Sequence, residues 1–302
     1  MTKYREKIGQ AVGIAGALAS TWLFVRNPSF PTPDKLVVFM IFTFMIFKQA
    51  LVMLRLFGPF ILILLAYESF RSVADQLNGH VNYTLAPGID DALFGNLPTV
   101  YLQNWLWDGH VRWYDLAFYL PYMLHFVLPI GLGVLIWKKR ENYYWRFVTT
   151  YCLSAFMAFF TFLLFPAAPP WLAVQNNTIE PITRITSEVW GTLGVRDFPS
   201  FYNEITPNIV AAIPSLHAAW ATLLSVFIFK YFGRRWGTLS LLYPFAIFIG
   251  TVYQGEHYAF DIIAGAVYAY VAYLLTPPLM RVGHRLAHSL LRRLMLTLHK
   301  VQ

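Results

Sequence analysis

The strongest constraint in this chain is a series of apolar runs, most of them about 17–24 residues long, the length a helix needs to cross a bilayer's hydrocarbon core. Six strong runs lie near residues 58–74, 114–137, 145–165, 216–232, 238–253 and 259–276, with weaker ones at 10–25 and 36–53. In lipid each backbone N–H and C=O must find its partner within the protein, so such runs read as helices. The expected fold class is an all-α polytopic membrane protein. Composition agrees: 57% of the 302 residues are hydrophobic and 13% charged, against about 25% charged in soluble domains. A soluble chain of this length has too little polar surface to cover that much apolar material. Lys48, inside the second weak run, either snorkels to the interface or marks a shorter span. The first weak run follows Lys3, Arg5 and Lys7 and contains Ala17-Leu18-Ala19, which mimics a signal-peptidase site. We read it as a retained helix.

The net charge of +8 is carried by short clusters between the runs, a pattern of membrane topology and not of nucleic-acid binding. Lys138-Lys139-Arg140, Arg234-Arg235, and the group Arg281, Arg285, Arg292 and Arg293 follow alternate strong runs. All fall on one side, expected to be cytoplasmic, if each strong run crosses once. Two further N-terminal spans place Lys3, Arg5, Lys7 and Arg55 there as well. The expectation is eight spans: an N-terminal hairpin over residues 1–55, a core over 56–277, and a basic amphipathic helix over 278–302 lying on the cytoplasmic surface. Two long polar segments, 75–113 and 166–214, then face the opposite side. Their length marks them as functional, and 101–107 reads as an interfacial helix. The single cysteine, Cys152, cannot form an intrachain disulfide.

Two motifs carry chemistry. In Ile213-Pro214-Ser215-Leu216-His217, proline and serine precede an apolar run, so Ser215 reads as an N-cap and His217 falls in the first turn. Free N–H groups and the positive dipole end make such a turn an anion site, with the amides of Ser215 to His217 facing a phosphate. In His257-Tyr258-Ala259-Phe260-Asp261, histidine and carboxylate four residues apart share a helix face. A carboxylate behind a histidine fixes its tautomer and stabilises the cation formed when the other nitrogen attacks phosphorus. Both motifs open spans on the same membrane side, so the histidines can meet in one pocket. Each histidine alone could simply cap a helix or bond a carbonyl; the ordered pair argues for function. A zinc site would call for a third close His or Cys.

Pro214-Ser215-Leu216-His217 and His257-x-x-x-Asp261 resemble the second and third motifs of the type 2 phosphatidic acid phosphatase superfamily, over roughly the last two-thirds of the chain. The resemblance implies a six-helix core, here with two extra N-terminal transmembrane helices, and a metal-independent enzyme without cofactor. It implies His257 as nucleophile, Asp261 as its support and His217 as proton donor to the leaving group. The superfamily's first motif, a lysine followed by Arg-Pro, is missing: Phe165-Pro166-Ala167-Ala168-Pro169-Pro170-Trp171 stands there. With Pro-Ser-Leu-His and Glu-His-Tyr, the chain looks like the fungal inositol phosphorylceramide synthase branch, whose members resemble sphingomyelin synthases.

A phosphate dianion still calls for cations. Arg71, at a helix end, is the favoured candidate, with Arg184 and Arg196 in the long loop as others; Ser215 is a further phosphate contact. His125 sits mid-span in 114–137 and either joins the polar pocket or bonds a neighbouring helix. The expected function is a phosphotransferase that moves a phospho-headgroup from a phospholipid or isoprenoid phosphate to a lipid hydroxyl through a phosphohistidine, at a site facing the periplasm, exterior or lumen. The alternatives are a lipid phosphate phosphatase using water and a non-catalytic lipid-binding scaffold. A transporter would call for internal symmetry, which the sequence lacks.

Overall fold

The computed structural model describes residues 2–26, 33–77, 79–125, 127–194 and 208–299; side chains of 64–77 are not among those described. The protein is an all-α, multi-pass membrane protein. Helices α1 (Thr2–Arg26) and α2 (Pro33–Ile46) form an N-terminal hairpin. They approach closely at Gly13, where a Cβ would come within 2.8 Å of the Phe42 carbonyl oxygen. The Gln10 side chain donates to the Ile46 carbonyl at 2.9 Å. Lys48 lies beyond the end of α2 at φ 58° and pairs with Glu6 at 2.6 Å, so it closes the hairpin. Met40 of α2 packs with Met53 and Phe57 of α3 (Ala50–Leu77).

Residues 85–106 supply two short helices, α4 (Leu85–Phe94) and α5 (Pro98–Leu106). The run 114–137, expected as one span, is instead broken into α6 (Trp113–Met123) and α7 (Val127–Arg140). Pro129 in the first turn of α7 explains the break: its ring would clash with the carbonyl of residue 125 in a continuous helix, and it has no N–H to donate. Irregular backbone at such depth is tolerated where protein covers it, and His125 is buried there. A single 3₁₀ turn, Glu141–Tyr143, leads into α8 (Tyr144–Leu164). The second polar segment carries α9 (Pro170–Gln175) and α10 (Ile185–Leu193).

The last four helices are α11 (Leu216–Phe232), α12 (Arg234–Ser240), α13 (Leu242–Tyr253) and α14 (Ala259–His299). Pro244 interrupts α12–α13 as Pro129 interrupts α6–α7, and the Ser240 carbonyl accepts instead from the Ser225 hydroxyl at 3.0 Å. Helix α14 runs unbroken through Pro277 and Pro278. Among the described residues, four stretches, Glu6–Arg26, Val127–Leu164, Arg234–Tyr253 and Ala259–Leu290, are long and apolar enough to cross a membrane; Lys35–Ile46, Ala50–Ile63 and Leu216–Phe232 are shorter apolar helices.

The main core lies where α3, α7, α8 and α11 meet, around Phe57, Ile136, Phe147, Tyr151, Leu223 and Phe227. Tyr151, fully buried, donates to the Trp220 carbonyl at 3.1 Å. This aromatic packing fixes α11 at the centre of the bundle. With 17 residues, α11 is about 25 Å long, short of the roughly 30 Å of hydrocarbon.

Candidate active site

Ser215 is the N-cap of α11: its Oγ accepts from the Ala218 N–H at 3.3 Å, and the side chain is fully buried. Its own N–H donates to the Asp261 carbonyl at 3.0 Å. The cap expected from the sequence is present, and the Ser215 amide is taken up by Asp261. Helix α14 crosses closely here. A Cβ on Gly265 would lie 2.2 Å from the Ser215 carbonyl oxygen, so only glycine permits this approach.

That crossing brings the two histidines together. His217 Nδ1 lies 3.3 Å from His257 Nε2, and His257 Nδ1 lies 3.3 Å from Asp261 Oδ2. Asp261 Oδ2 also accepts from the Tyr258 N–H at 2.9 Å, which orients the carboxylate. With Nδ1–H donated to Asp261, the lone pair of His257 sits on Nε2 and points at His217. Asp261 is fully buried and His257 is 7% exposed, so a positive charge developing on the ring would meet the carboxylate with little screening. His217 is held by stacking on Tyr122, with ring centroids 4.6 Å apart and planes at 18°. His125 lies 4.4 Å from the His217 ring and stacks on Trp220 at 4.7 Å. The break between α6 and α7 thus places His125 between the His217 ring and Trp220.

Arg184 lies beside the third motif. Its Nε and Nη2 donate to the Glu256 carboxylate at 2.8 and 3.2 Å, and Glu256 also accepts from the Thr186 hydroxyl. The guanidinium rests on the Trp171 ring, 4.2 Å from its centroid, a cation–π contact. Burial opposes the Arg184 charge, but Glu256 more than offsets it, so its pKa stands above the ordinary arginine value. Arg71 falls on α3 where side chains are not described, and Arg196 lies outside the described residues.

Three supporting residues were not singled out from the sequence. Asp90 of α4, 1% exposed, accepts from the Ala259 and Phe260 N–H groups at 2.8 and 2.9 Å and so caps α14. Burial raises its pKa more than these two donors lower it. Gln103 of α5 donates to the Thr183 and Tyr253 carbonyls and accepts from the Thr183 N–H, each at 2.8 Å. Asp115 of α6 accepts from the Tyr253 hydroxyl at 2.5 Å. Gln103 and Asp115 anchor Tyr253 at the end of α13, just before the loop to His257, and Asp90 anchors the residues just after His257. Only Asp115 left a local signal, since it caps its own helix through the Arg112 N–H at 2.6 Å. Among the described residues, no group of three His, Cys, Asp or Glu side chains is placed to hold a metal.

A close histidine pair backed by a buried carboxylate, at the start of two crossing helices of a multi-pass bundle, defines a class of membrane protein equipped for acid–base and nucleophilic chemistry. The profile described as the PAP2 superfamily matches residues 89–275, and the chain belongs to that superfamily. The chain is 32% identical over 163 residues to phosphoinositol dihydroceramide synthase of Bacteroides thetaiotaomicron, covering 51% of this chain and 52% of that protein. It is 23% identical over 212 residues to the inositol phosphorylceramide synthase catalytic subunit of Saccharomyces cerevisiae, covering 67% and 51%. The corresponding subunit of Schizosaccharomyces pombe is 24% identical over 246 residues, covering 74% and 54%. The chain thus spans about half the length of the curated relatives it matches. No solved structure matches it significantly.

Proposed function

We propose that this protein is a lipid phosphotransferase acting through a phosphohistidine. The observation that carries the reading is the line Asp261–His257–His217, with its two 3.3 Å contacts. His257 Nε2 attacks the phosphorus of a phospholipid headgroup ester. The N–P bond forms as the P–O bond to the lipid breaks, and His217 gives its proton to the departing oxygen. Asp261 stabilises the imidazolium as it forms. His217, now neutral, takes the proton of a lipid hydroxyl, whose oxygen attacks the phosphohistidine and restores His257. The relatives' names support an inositol phosphate headgroup as cargo and a ceramide-type hydroxyl as acceptor.

Arg184 is the cation we assign to the phosphate. Trp171 stands in the segment that replaces the superfamily's first motif, and it seats Arg184 beside the third motif. Glu256 occupies Nε and Nη2 and leaves the Nη1 edge for a phosphate oxygen. The basic clusters at the far end of the bundle support a site facing the periplasm, exterior or lumen.

The test is turnover of headgroup-labelled phospholipids by purified protein, with and without ceramide, read by mass spectrometry. Transfer should require the acceptor, and His257→Ala should lower it at least about 1,000-fold. Arg184→Ala should cost roughly 100-fold, the scale of a lost charged hydrogen bond. Full turnover by His257→Ala would refute the mechanism, and release of the headgroup into water at an undiminished rate with ceramide present would make the protein a phosphatase.

A further inference from the structure

A second feature lies at the other end of α11. His217 and Phe232 are 15 residues apart on this helix, about 22 Å. Beside Phe232, an apolar groove of about 570 Å³ runs between the ends of α7 and α11 and the short helix α12, lined by Leu135, Ile228, Phe232, Trp236 and Leu239. Leu135, Trp236 and Leu239 are exposed at 43%, 57% and 54%, so the groove opens outward to the lipid. Lys139 and Arg140 line it as well. The same two residues line an adjoining polar cleft of about 490 Å³ with Glu141, Asn142 and Tyr143.

The two hollows thus share their cations, and together they are amphipathic: an apolar groove joined at two positive charges to a polar cleft. Arg140 is fixed in place by its Nε bond to the Tyr231 carbonyl at 3.2 Å. Two cations against the one carboxylate of Glu141 leave a net positive charge. Trp236 lies at the level of these charges, where an indole marks the membrane interface. Basic pockets between helices at this level suit anionic headgroups.

We propose that this groove and cleft bind one anionic phospholipid of the surrounding bilayer, at the end of the bundle opposite the histidine pair. Its phosphate sits between Lys139 and Arg140, and one acyl chain lies along Leu135, Phe232 and Leu239 against Trp236. The site is separate from the reaction and does not depend on the function proposed above.

Quenching of tryptophan fluorescence by lipids brominated on the acyl chain tests this, with the full chain in phosphatidylcholine nanodiscs. Brominated phosphatidylglycerol at low mole fraction should quench more than brominated phosphatidylcholine or phosphatidylethanolamine at the same fraction. That excess should vanish in Trp236→Phe, which locates it in the groove and not near the histidines. It should need about tenfold more phosphatidylglycerol in the Lys139→Gln/Arg140→Gln variant. Lys139→Gln alone keeps the Arg140–Tyr231 bond, guards against misfolding, and should show an intermediate shift. Equal quenching by all three lipids, an excess that survives in Trp236→Phe, or an unchanged excess in both Lys139 variants would overturn the proposal. So would loss of the excess on adding millimolar inorganic phosphate, which would make the cleft a site for soluble anions.

Discussion

Helices α11 and α14 each start at the same end of the bundle with a histidine in or just before the first turn, yet the two starts are secured differently. The start of α11 is local: Ser215, the residue before the helix, caps it through the Ala218 N–H. The start of α14 is remote: Asp90, 169 positions away, accepts from the Ala259 N–H. Asp261 joins the two, with its carboxylate on His257 and its carbonyl on the Ser215 N–H. The helix that carries His217 is thus capped by its own neighbourhood, while the His217 ring stacks on Tyr122 of α6. The other helix needs α4 to be docked before it can begin where it does.

The sharpest way to break this comparison is to disturb both starts at once. Gly265→Ala puts a Cβ 2.2 Å from the Ser215 carbonyl oxygen. Backbone cannot yield as a side chain can, so we expect a loss of about 3 kcal/mol and near-complete loss of turnover, seen by thermal unfolding in detergent alongside the transfer assay. Asp90→Ala comes next. It strands two buried N–H donors at the start of α14, a cost of about 2 kcal/mol, and should lower kcat more than KM because His257 loses its position. Asp90→Asn keeps one acceptor and should recover part of both. Ser215→Ala should cost about 1 kcal/mol and leave turnover closer to that of the unaltered protein, since the Ser215 amide still reaches Asp261. If Ser215→Ala proves as harmful as Asp90→Ala, the distinction between a local and a remote start fails.

The smallest effect expected is on pH. Asp90 has a folded pKa raised above the ordinary 3.8. A raised carboxyl pKa contributes stability that is full below the ordinary value and lost as pH rises through the folded one. The protein should therefore lose a little stability as pH climbs through the range just above 3.8. Asp90→Asn should flatten that part of the melting-temperature profile. An unchanged slope would show that Asp90 is not the group responsible.

Much of this protein was legible in the sequence because it follows from local spacing. Apolar runs of membrane length dictate helices, since lipid offers the backbone no other partner. Serine before an apolar run dictates the cap of α11. A histidine and an aspartate four residues apart share a face by helix period alone, and the structure keeps them 3.3 Å apart. Pro129 was visible too, but the weight of the apolar run masked the break it makes beside His125. Tertiary structure alone decided the rest. The 3.3 Å meeting of His217 and His257 depends on how closely α14 can cross α11 at Gly265. The seating of Arg184 on Trp171 joins two loop segments, and the capping of α14 by Asp90 joins chain ends of the catalytic region. Such contacts have no period for a sequence to display, because they arise only when separate helices settle on the faces that bury them best.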